Sequence, residues 1–430
     1  MNPAPVSEIP EMAFALGFVL LLLAPLAIAG LALINTGLGR SRSAAQALLG
    51  SLAIFSVAAI VFALAGAAFT GSTAAASHLF HLAGKSWDWL GAGPWILGGL
   101  GTTTSYAQLA LLFEFLAVAM SALIPWGSGA DRLRLTAGCS IAALLALVFF
   151  PLLAHWIWGG GWLSKLGANF ALGGGFIDPG GAATVHVLGG IGALAVVWIT
   201  GPRKGKFPKE GFSTAMPGHN AVYVLFGCLV ALVGWQAWNA AGALIWLHAP
   251  LDALPVTAVN TLLCAAGALL ATFAVTRIRF GKPDASLCAN GWMAGLVASS
   301  ACAALVTPVQ ALFVGFLAGI LTPLMVEVLE LAVSLDDPSG AISAHFVGGL
   351  WGILAVGLFS PLAGQLMAQL VGIAALLGVI LPLVYLLFWL LNRMVAFRAD
   401  PDGERIGMDL HELGGGAYPE FVIHRDDAYQ

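Results

Sequence analysis

Two stretches of this 430-residue chain share one pattern: DPGGAATVHVLGG at residues 178–190 and DPSGAISAHFVGG at residues 337–349. Both read Asp-Pro, six residues, His, two residues and Gly-Gly, and both open a long apolar run. Aspartate caps the free N–H groups of a helix and proline fits its first turn, so each stretch predicts a helix start. His186 and His345 then lie about 12 Å inside the apolar run, at 1.5 Å per residue.

The composition indicates a membrane protein. Hydrophobic residues make up 60% of the chain and charged residues 9%, with a mean hydropathy of +0.93. Soluble domains carry about a quarter charged residues, so a water-soluble globule, a disordered chain and a nucleic-acid binder are excluded. The formal charge of −4 is too small to indicate a charged polymer partner. Five scattered cysteines form no C-x-x-C pair, which favours small buried side chains over disulfides or a zinc site.

Apolar runs of about 20 residues predict eleven transmembrane helices in an all-α polytopic protein of the lipid bilayer. They lie near residues 13–36, 44–66, 104–126, 136–157, 180–200, 219–242, 254–276, 286–304, 309–332, 341–360 and 367–392. We expect a transmembrane domain over residues 1–392 and a charged, solvated cytoplasmic tail over residues 393–430. The transmembrane domain consists of repeat halves at about 13–200 and 219–360, followed by the eleventh helix.

The basic residues predict the orientation, because they favour the cytoplasmic side of a membrane protein. Most of them fall in loops on one side of the predicted helices, and only Lys85 and Lys165 fall on the other. The clusters on the basic side are Arg40 with Arg42, Arg132 with Arg134, 203–209, 277–282 and 393–425. We therefore expect the N-terminus outside and the C-terminus in the cytoplasm, in the cell (inner) membrane.

The two Asp-Pro…His stretches open the fifth and tenth predicted helices, so they enter the membrane from opposite faces. This is typical of inverted-topology repeats, whose site lies at the midplane between the halves. His186 and His345 should meet there, in a pore or a proton relay. A metal site is not expected, because no Cys or carboxylate recurs at ligand spacing. Helix capping accounts for Asp337, whereas capping and an electrostatic role both remain open for Asp178.

With these features the chain resembles the ammonium transporter (Amt/Rh) family over nearly its whole length. Further motifs carry the resemblance: HWIWGGG at 155–161, GW at 234–235, WNA at 238–240, DDP at 336–338, and GMD at 407–409 with Gly414 and AY at 417–418. The resemblance implies a homotrimer with one pore per subunit, and neither an enzyme nor a bound cofactor. It also implies a PII-type regulator as a partner. The histidine of the family's C-terminal signature is replaced here by Leu413, and His411 lies two residues earlier.

The resemblance further implies an outer vestibule in which Trp158 receives a cation and Asp178 supports that site. A pair of phenylalanines then leads into a narrow apolar pore lined by His186 and His345. An intact ion in such a pore costs several kcal/mol or more. Ammonium can avoid that cost by releasing a proton, because neutral ammonia can cross while imidazoles relay the proton.

The sequence departs from the family pattern at the vestibule and the gate. The two gate phenylalanines map onto Phe113 and Ala117, so one ring is missing. Shifting the match by one helical turn makes Phe113 the inner member, with Leu109 outside it. Glu114 stands where the family has a neutral amide. Two vestibule positions on the sixth helix also differ, because Gly242 replaces a hydroxyl residue and Trp238 replaces a phenylalanine.

These departures leave the substrate open. We predict transport of ammonium or methylammonium if Glu114 points away and neighbouring aromatic rings refill the gate. The alternative is a larger methylated or quaternary amine such as choline, held by aromatic faces instead of N–H donors. A quaternary cation has no proton to release, so it needs a wider pore. A second alternative is an ammonium sensor that signals through its C-terminal tail.

Overall fold

The computed structural model describes residues 9–72, 77–210 and 213–418. In this part of the chain, ten helices are long and apolar enough to cross a membrane, and an eleventh lies among them. In chain order they are α1 (Glu11–Leu38), α2 (Ser41–Thr70), α3 (Ser105–Ser128), α4 (Leu135–Ile157), α5 (Ala182–Thr200), α6 (Ala221–Trp246), α7 (Leu251–Phe280), α8 (Ala285–Cys302), α9 (Pro308–Ala332), α10 (Ile342–Phe359) and α11 (Gln365–Met394). Each predicted span is therefore a helix. Of the ten, α5 and α3 are the most buried and α11 the least, so α3 and α5 lie at the centre.

Helix α8 is not one of the ten apolar helices, although it lies in the middle of the bundle. Its small residues let α7 approach closely. A Cβ atom at Gly291 would lie 2.0 Å from Oγ1 of Thr272, and one at Gly295 would lie 2.4 Å from the carbonyl oxygen of Cys264. Most residues of this helix are buried inside the bundle, so its buried polar side chains do not have to face lipid.

A β-hairpin between α2 and α3 departs from the expected all-helical chain. Strands β1 (Ser77–Leu82) and β2 (Lys85–Gly91) pair antiparallel, with Phe80 opposite Trp87. Their two-residue loop has positive φ at both Ala83 (52°) and Gly84 (71°), as hairpin turns of type I′ require. We call this end of the bundle the hairpin end. Shorter helical turns in the connections lie at Trp95–Leu97, Leu100–Thr102, Leu166–Phe170, Pro401–Ile406 and Asp409–Leu413.

The two repeat copies fold alike and cross each other. Each begins with a π-helical segment, Ala182–Val187 in α5 and Ile342–Val347 in α10, and such segments are frequent at functional sites. The crossing contacts are reciprocal. A Cβ atom at Gly190 would lie 2.6 Å from Phe346, and one at Gly349 would lie 2.8 Å from Val187. Because the contact positions run in opposite directions along the two helices, α5 and α10 are antiparallel, as inverted repeats require.

A buried network of charged side chains lies at the opposite end of the bundle, which we call the basic end. Arg203 donates to both oxygens of Asp336, at 2.9 Å each, and to Asp131 at 3.0 Å. Arg132 donates to the backbone carbonyl of Asp336 at 2.7 Å. Burial opposes ionisation of Asp336, but hydrogen bonds from Arg203 and the charge of Arg132 outweigh it and hold the pKa of this carboxyl below its usual value. The network joins the ends of α3, α5 and α9.

The described part of the C-terminal tail packs on the basic end, so the expectation of a simply solvated tail is wrong for these residues. The two oxygens of Asp409 accept hydrogen bonds from the backbone N–H groups of Ala45 (3.1 Å) and Gln46 (2.8 Å). Glu412 accepts one from Leu135 at 2.9 Å. The first turns of α2 and α4 leave such N–H groups unpaired and favour negative charge, and this explains why the tail carboxylates dock there. Residues 419–430 lie outside the described residues.

Candidate functional site

The crossing of α5 and α10 brings the two predicted histidines together in the interior. Nδ1 of His345 lies 3.3 Å from Nδ1 of His186, and both rings are buried. The His186 ring stacks on Trp235 with centroids 5.0 Å apart, and the Trp235 indole N–H donates to Ser300 at 2.9 Å. Trp235 therefore holds one imidazole in a fixed orientation.

The contact between the two imidazoles dictates their protonation. One Nδ1 must donate and the other must accept, so the neutral pair contains one Nδ1–H ring and one Nε2–H ring. Nε2 of His186 is buried without a hydrogen-bond partner among the described residues. The pair can thus pass a proton between its rings. In the described part of the chain, no group of three or more His, Cys, Asp or Glu side chains could hold a metal ion.

An aromatic cluster of Phe113, Trp158, Trp238 and Trp246 lies beside the segment that leads into α5. Trp238 packs on Phe113 with ring centroids 4.2 Å apart, and Trp158 meets Phe113 edge-to-face at 5.4 Å. The indole N–H of Trp158 donates to the carbonyl of Asp178 at 2.7 Å. That of Trp238 donates to the carbonyl of Gly180 at 2.8 Å. Both indoles are therefore fixed to the segment that precedes His186.

Packing explains why the residues at the gate and the vestibule differ from the family pattern. Ala117 is buried one turn beyond Phe113 and carries no ring, so the aromatic partner of Phe113 comes from Trp238 on α6. At Gly242 a Cβ atom would lie 2.3 Å from the carbonyl oxygen of Pro179. No side chain fits there, and the vestibule hydroxyl expected from the family is absent because α6 packs directly on the Asp-Pro turn.

Trp246, which the sequence analysis did not identify, completes the aromatic cluster. Its indole is parallel to that of Trp158, with an interplanar angle of 6° and centroids 5.0 Å apart. It also meets Phe113 edge-to-face at 5.9 Å. The sequence carried a signal for it, because Trp238, Gly242 and Trp246 are spaced four residues apart and so share a face of α6.

Glu114 is fully buried but does not belong to the aromatic cluster. Its two carboxylate oxygens accept hydrogen bonds from the hydroxyls of Ser72 and of Thr70, the latter at 3.1 Å. The Thr70 carbonyl in turn lies 3.1 Å from Nδ1 of His155, whose Nε2 lies 2.9 Å from Asp88 of the hairpin. Adjacent residues on a helix project about 100° apart. Glu114 therefore faces the end of α2 and the hairpin, while Phe113 faces the cluster.

Asp178 and its repeat counterpart Asp337 differ in how their carboxylates are satisfied. One oxygen of Asp178 accepts three hydrogen bonds, from the N–H groups of Ala183 (2.9 Å) and Thr184 (3.0 Å) and from the Thr184 hydroxyl (3.0 Å). Its other oxygen, Oδ1, is buried without a partner among the described residues. Burial raises the pKa of Asp178 to about 6, and the bonds from Thr184 and Ala183 limit the rise.

Asp337 caps its own helix and has no such free oxygen. Its Oδ2 accepts from the N–H of Ile342 at 2.8 Å, and its Oδ1 accepts from the hydroxyls of Ser128 (2.8 Å) and Ser339 (3.2 Å). An unpaired buried acceptor is costly. Asp178 thus keeps an oxygen available to a cationic ligand, and Asp337 does not.

Known proteins match most of this chain. Residues 13–418 match the Ammonium Transporter Family. Ammonium transporter Amt2 of Archaeoglobus fulgidus is 33% identical over 92% of this chain and 85% of its own length. The ammonium transporter of Bacillus subtilis is 28% identical over 91% and 94%, respectively.

Solved structures share the fold. The Sensor Amt Protein superposes with a TM-score of 0.83 at 26% identity, covering 94% of this chain and 98% of that one. Mep2 of Candida albicans gives a TM-score of 0.78 at 22% identity, covering 98% and 93%.

Proposed function

Because this chain belongs to the ammonium transporter family, whose members are multi-pass membrane transporters and not enzymes, we propose that it transports ammonium or methylammonium. The observation that carries the proposal is the 3.3 Å contact between His186 and His345, buried where the two repeats cross. The aromatic cluster, hydrogen-bonded to the segment just before His186, supplies the entrance.

Capture of the cation rests on aromatic faces and one carboxylate. Indole faces attract cations through their quadrupole, worth about 2 kcal/mol when desolvated, and Trp158 is the family's position for this contact. The unpaired Oδ1 of Asp178 adds negative potential at the same segment. No hydroxyl stands at Gly242 to accept an N–H. Capture therefore depends more on charge and less on hydrogen bonding than the family pattern implies.

Beyond the aromatic cluster, ammonium must release one proton to pass. The rings of Phe113 and Trp238 are in contact, with 4.2 Å between their centroids, and a hydrated ion does not fit between them. An N–H bond of ammonium breaks, neutral ammonia crosses the apolar pore, and the proton travels through the imidazole pair. Ammonia takes up a proton again on the far side, so each cycle moves one ammonium and one positive charge.

The basic end is the cytoplasmic side in this proposal, with the N-terminus outside and the transporter domain within residues 1–392. The distribution of Arg and Lys supports the orientation. Bundle faces away from the histidines, such as those of α9 and α11, expose large apolar side chains, which suits lipid and subunit contacts. A homotrimer follows from the family resemblance. Native mass spectrometry of the purified protein tests it, and a monomer as the largest species would remove it.

We also propose that a PII-type regulator binds at the basic end, because the docked tail lies there beside the ends of α2 and α4. Co-purification at low ATP and low 2-oxoglutarate tests this interaction. The absence of a complex under every ligand condition would eliminate it.

A larger amine cation is the second candidate. The absence of a hydroxyl at Gly242 and the additional indole of Trp246 favour it, because the first removes a hydrogen-bond acceptor and the second adds an aromatic face. The contact of Phe113 with Trp238 opposes it, since a quaternary cation would have to cross whole. A sensing role is the third candidate, and the docking of the tail carboxylates onto α2 and α4 is the feature that favours it.

Currents measured on reconstituted protein decide among these functions. We expect currents with ammonium and methylammonium and none with choline. His186→Ala and His345→Ala should each abolish charge movement, because either change breaks the imidazole pair. His81→Ala is the matched control, since His81 is exposed on the hairpin, and it should behave like the wild type. A choline current without an ammonium current would reject the proposed substrate.

A further inference from the structure

The indole of Trp246 covers one face of Trp158. The two rings are parallel within 6°, and their centroids are 5.0 Å apart. Phe113 meets both rings edge-to-face, at 5.4 Å and 5.9 Å. Trp158 follows the end of α4 and Trp246 is the last residue of α6, so the stack joins two different helices across the aromatic cluster.

This stack and a cation on the same face of Trp158 exclude each other. A cation bound to an indole sits over the ring, within about 6 Å of its centroid. Parallel aromatic rings in contact are separated by about 3.5 Å, which leaves no space between them. The covered face can receive a cation only after Trp246 has moved.

Trp246 is held differently from the other two tryptophans of the cluster. The indole N–H groups of Trp158 and Trp238 each donate to a backbone carbonyl. That of Trp246 is buried and has no acceptor among the described residues. Ring contacts with Trp158, Phe113 and Tyr106 are what hold it. Moving Trp246 therefore breaks no hydrogen bond.

The backbone beside Trp246 also permits movement. Helix α6 ends at this residue, and the irregular segment that follows contains His248 with a positive φ of 50°. A side chain at a helix end can change its direction without displacing the helix. Phe113 lacks this freedom, because it lies inside α3 and is fully buried.

We propose that Trp246 is a movable cover of the vestibule and a specificity-determining residue for alkylammonium cations. Its indole occupies the cation-binding face of Trp158 in the closed state and moves aside when a small cation replaces it. A larger cation must displace the indole further, which costs more free energy. Trp246 therefore selects cations by size before they reach the histidine pair. This inference rests on the proposed ammonium function.

Trp246→Ala tests the cover through its effect on apparent affinity. A closed state lowers apparent affinity by the fraction of molecules that are open, and losing one aromatic stack corresponds to about fivefold. We expect the KM for ammonium to fall about fivefold. Inhibition of the ammonium current by tetramethylammonium should become stronger by at least the same factor. A raised KM would show that the indole is a fixed wall of the cation site, and an unchanged KM would show that it does not cover the site. Either result overturns the proposal.

Further variants keep this test decisive. If the alanine variant fails to fold, Trp246→Leu takes its place. It keeps apolar bulk without the aromatic stack and should also lower the KM for ammonium. Trp246→Phe keeps a stacking ring and should stay within about twofold of the wild type. Trp95→Ala removes an exposed tryptophan of the hairpin end that contacts Phe69 and not the cluster, so its KM should not change. If the wild-type protein carries no amine current, both the proposed function and the proposed role of Trp246 are rejected. A wild-type current with a raised KM in Trp246→Ala removes the cover alone.

Discussion

Replacing Thr184 by valine should shift the pH at which the protein loses its affinity for ammonium. The Thr184 hydroxyl donates to Oδ2 of Asp178 at 3.0 Å, beside two backbone N–H donors that the substitution leaves in place. Valine has nearly the same shape, so the change removes one hydrogen bond and little else. Because that bond favours the ionised carboxylate, its loss should raise the pKa of Asp178 further above the present value of about 6.

The size of the shift follows from the strength of the lost bond. A hydrogen bond to a charged group contributes about 1.5 kcal/mol, which corresponds to about a tenfold shift of the Asp178 protonation equilibrium toward the neutral acid. At pH 6.5 the ionised fraction of Asp178 is then about three quarters in the wild type and about one quarter in the variant. If capture needs the charge, the KM for ammonium at pH 6.5 should rise about threefold, whereas at pH 8 the two proteins should be nearly equal.

The measurement is the KM for ammonium between pH 5.5 and 8, with both proteins compared at each pH so that titration of the substrate and of the histidines cancels. Ser128→Ala is the matched control, because Ser128 donates to Asp337, the repeat counterpart, at 2.8 Å. Its profile should follow the wild type. Parallel wild-type and Thr184→Val profiles would refute the assignment of the charge to Asp178, and a shift in Ser128→Ala alone would transfer it to Asp337.

Two further predictions concern packing and stability. Gly242→Ser should lower the yield of folded protein and should not improve affinity, because its Cβ would lie 2.3 Å from the Pro179 carbonyl; tighter ammonium binding by a well-folded variant would contradict this. Arg203→Met should lower the free energy of unfolding by about 3–5 kcal/mol, measured by thermal unfolding in detergent, since it leaves Asp336 and Asp131 buried without their main partner. Arg405→Met, at an exposed ion pair, should have almost no effect.

The repeat and the helices could be predicted from the sequence because both signals are local. Hydropathy locates each helix, and the spacing from Asp178 to His186 recurs from Asp337 to His345. The position of α8 could also be predicted, although this helix is not among the ten most apolar ones. Its small and polar residues interrupt the apolar run without ending it. The antiparallel crossing then followed from the order of the helices, because the fifth and the tenth cross the membrane in opposite directions.

What could not be predicted depends on contacts between distant residues. Asp409 looks like part of a charged, solvated tail until the fold brings it to the start of α2, more than 360 residues earlier in the sequence. The hairpin lacks the Asn-Gly or Asp-Gly signal of its turn type, because Ala83 adopts the positive φ instead. The missing gate ring at Ala117 is supplied by Trp238 from another helix, and no spacing within α3 could reveal that.

The two repeat copies share a backbone pattern but differ around their capping aspartates. Their backbones and histidines are equivalent, and that equivalence suits a relay in which either imidazole can donate to the other. The side chains around the two capping aspartates are not equivalent. Ser128 and Ser339 occupy the oxygen of Asp337 that corresponds to the free oxygen of Asp178, and the aromatic cluster lies beside the Asp178 segment. In the proposed function, this difference favours capture of the cation at the hairpin end, beside the free oxygen of Asp178, and its release at the basic end.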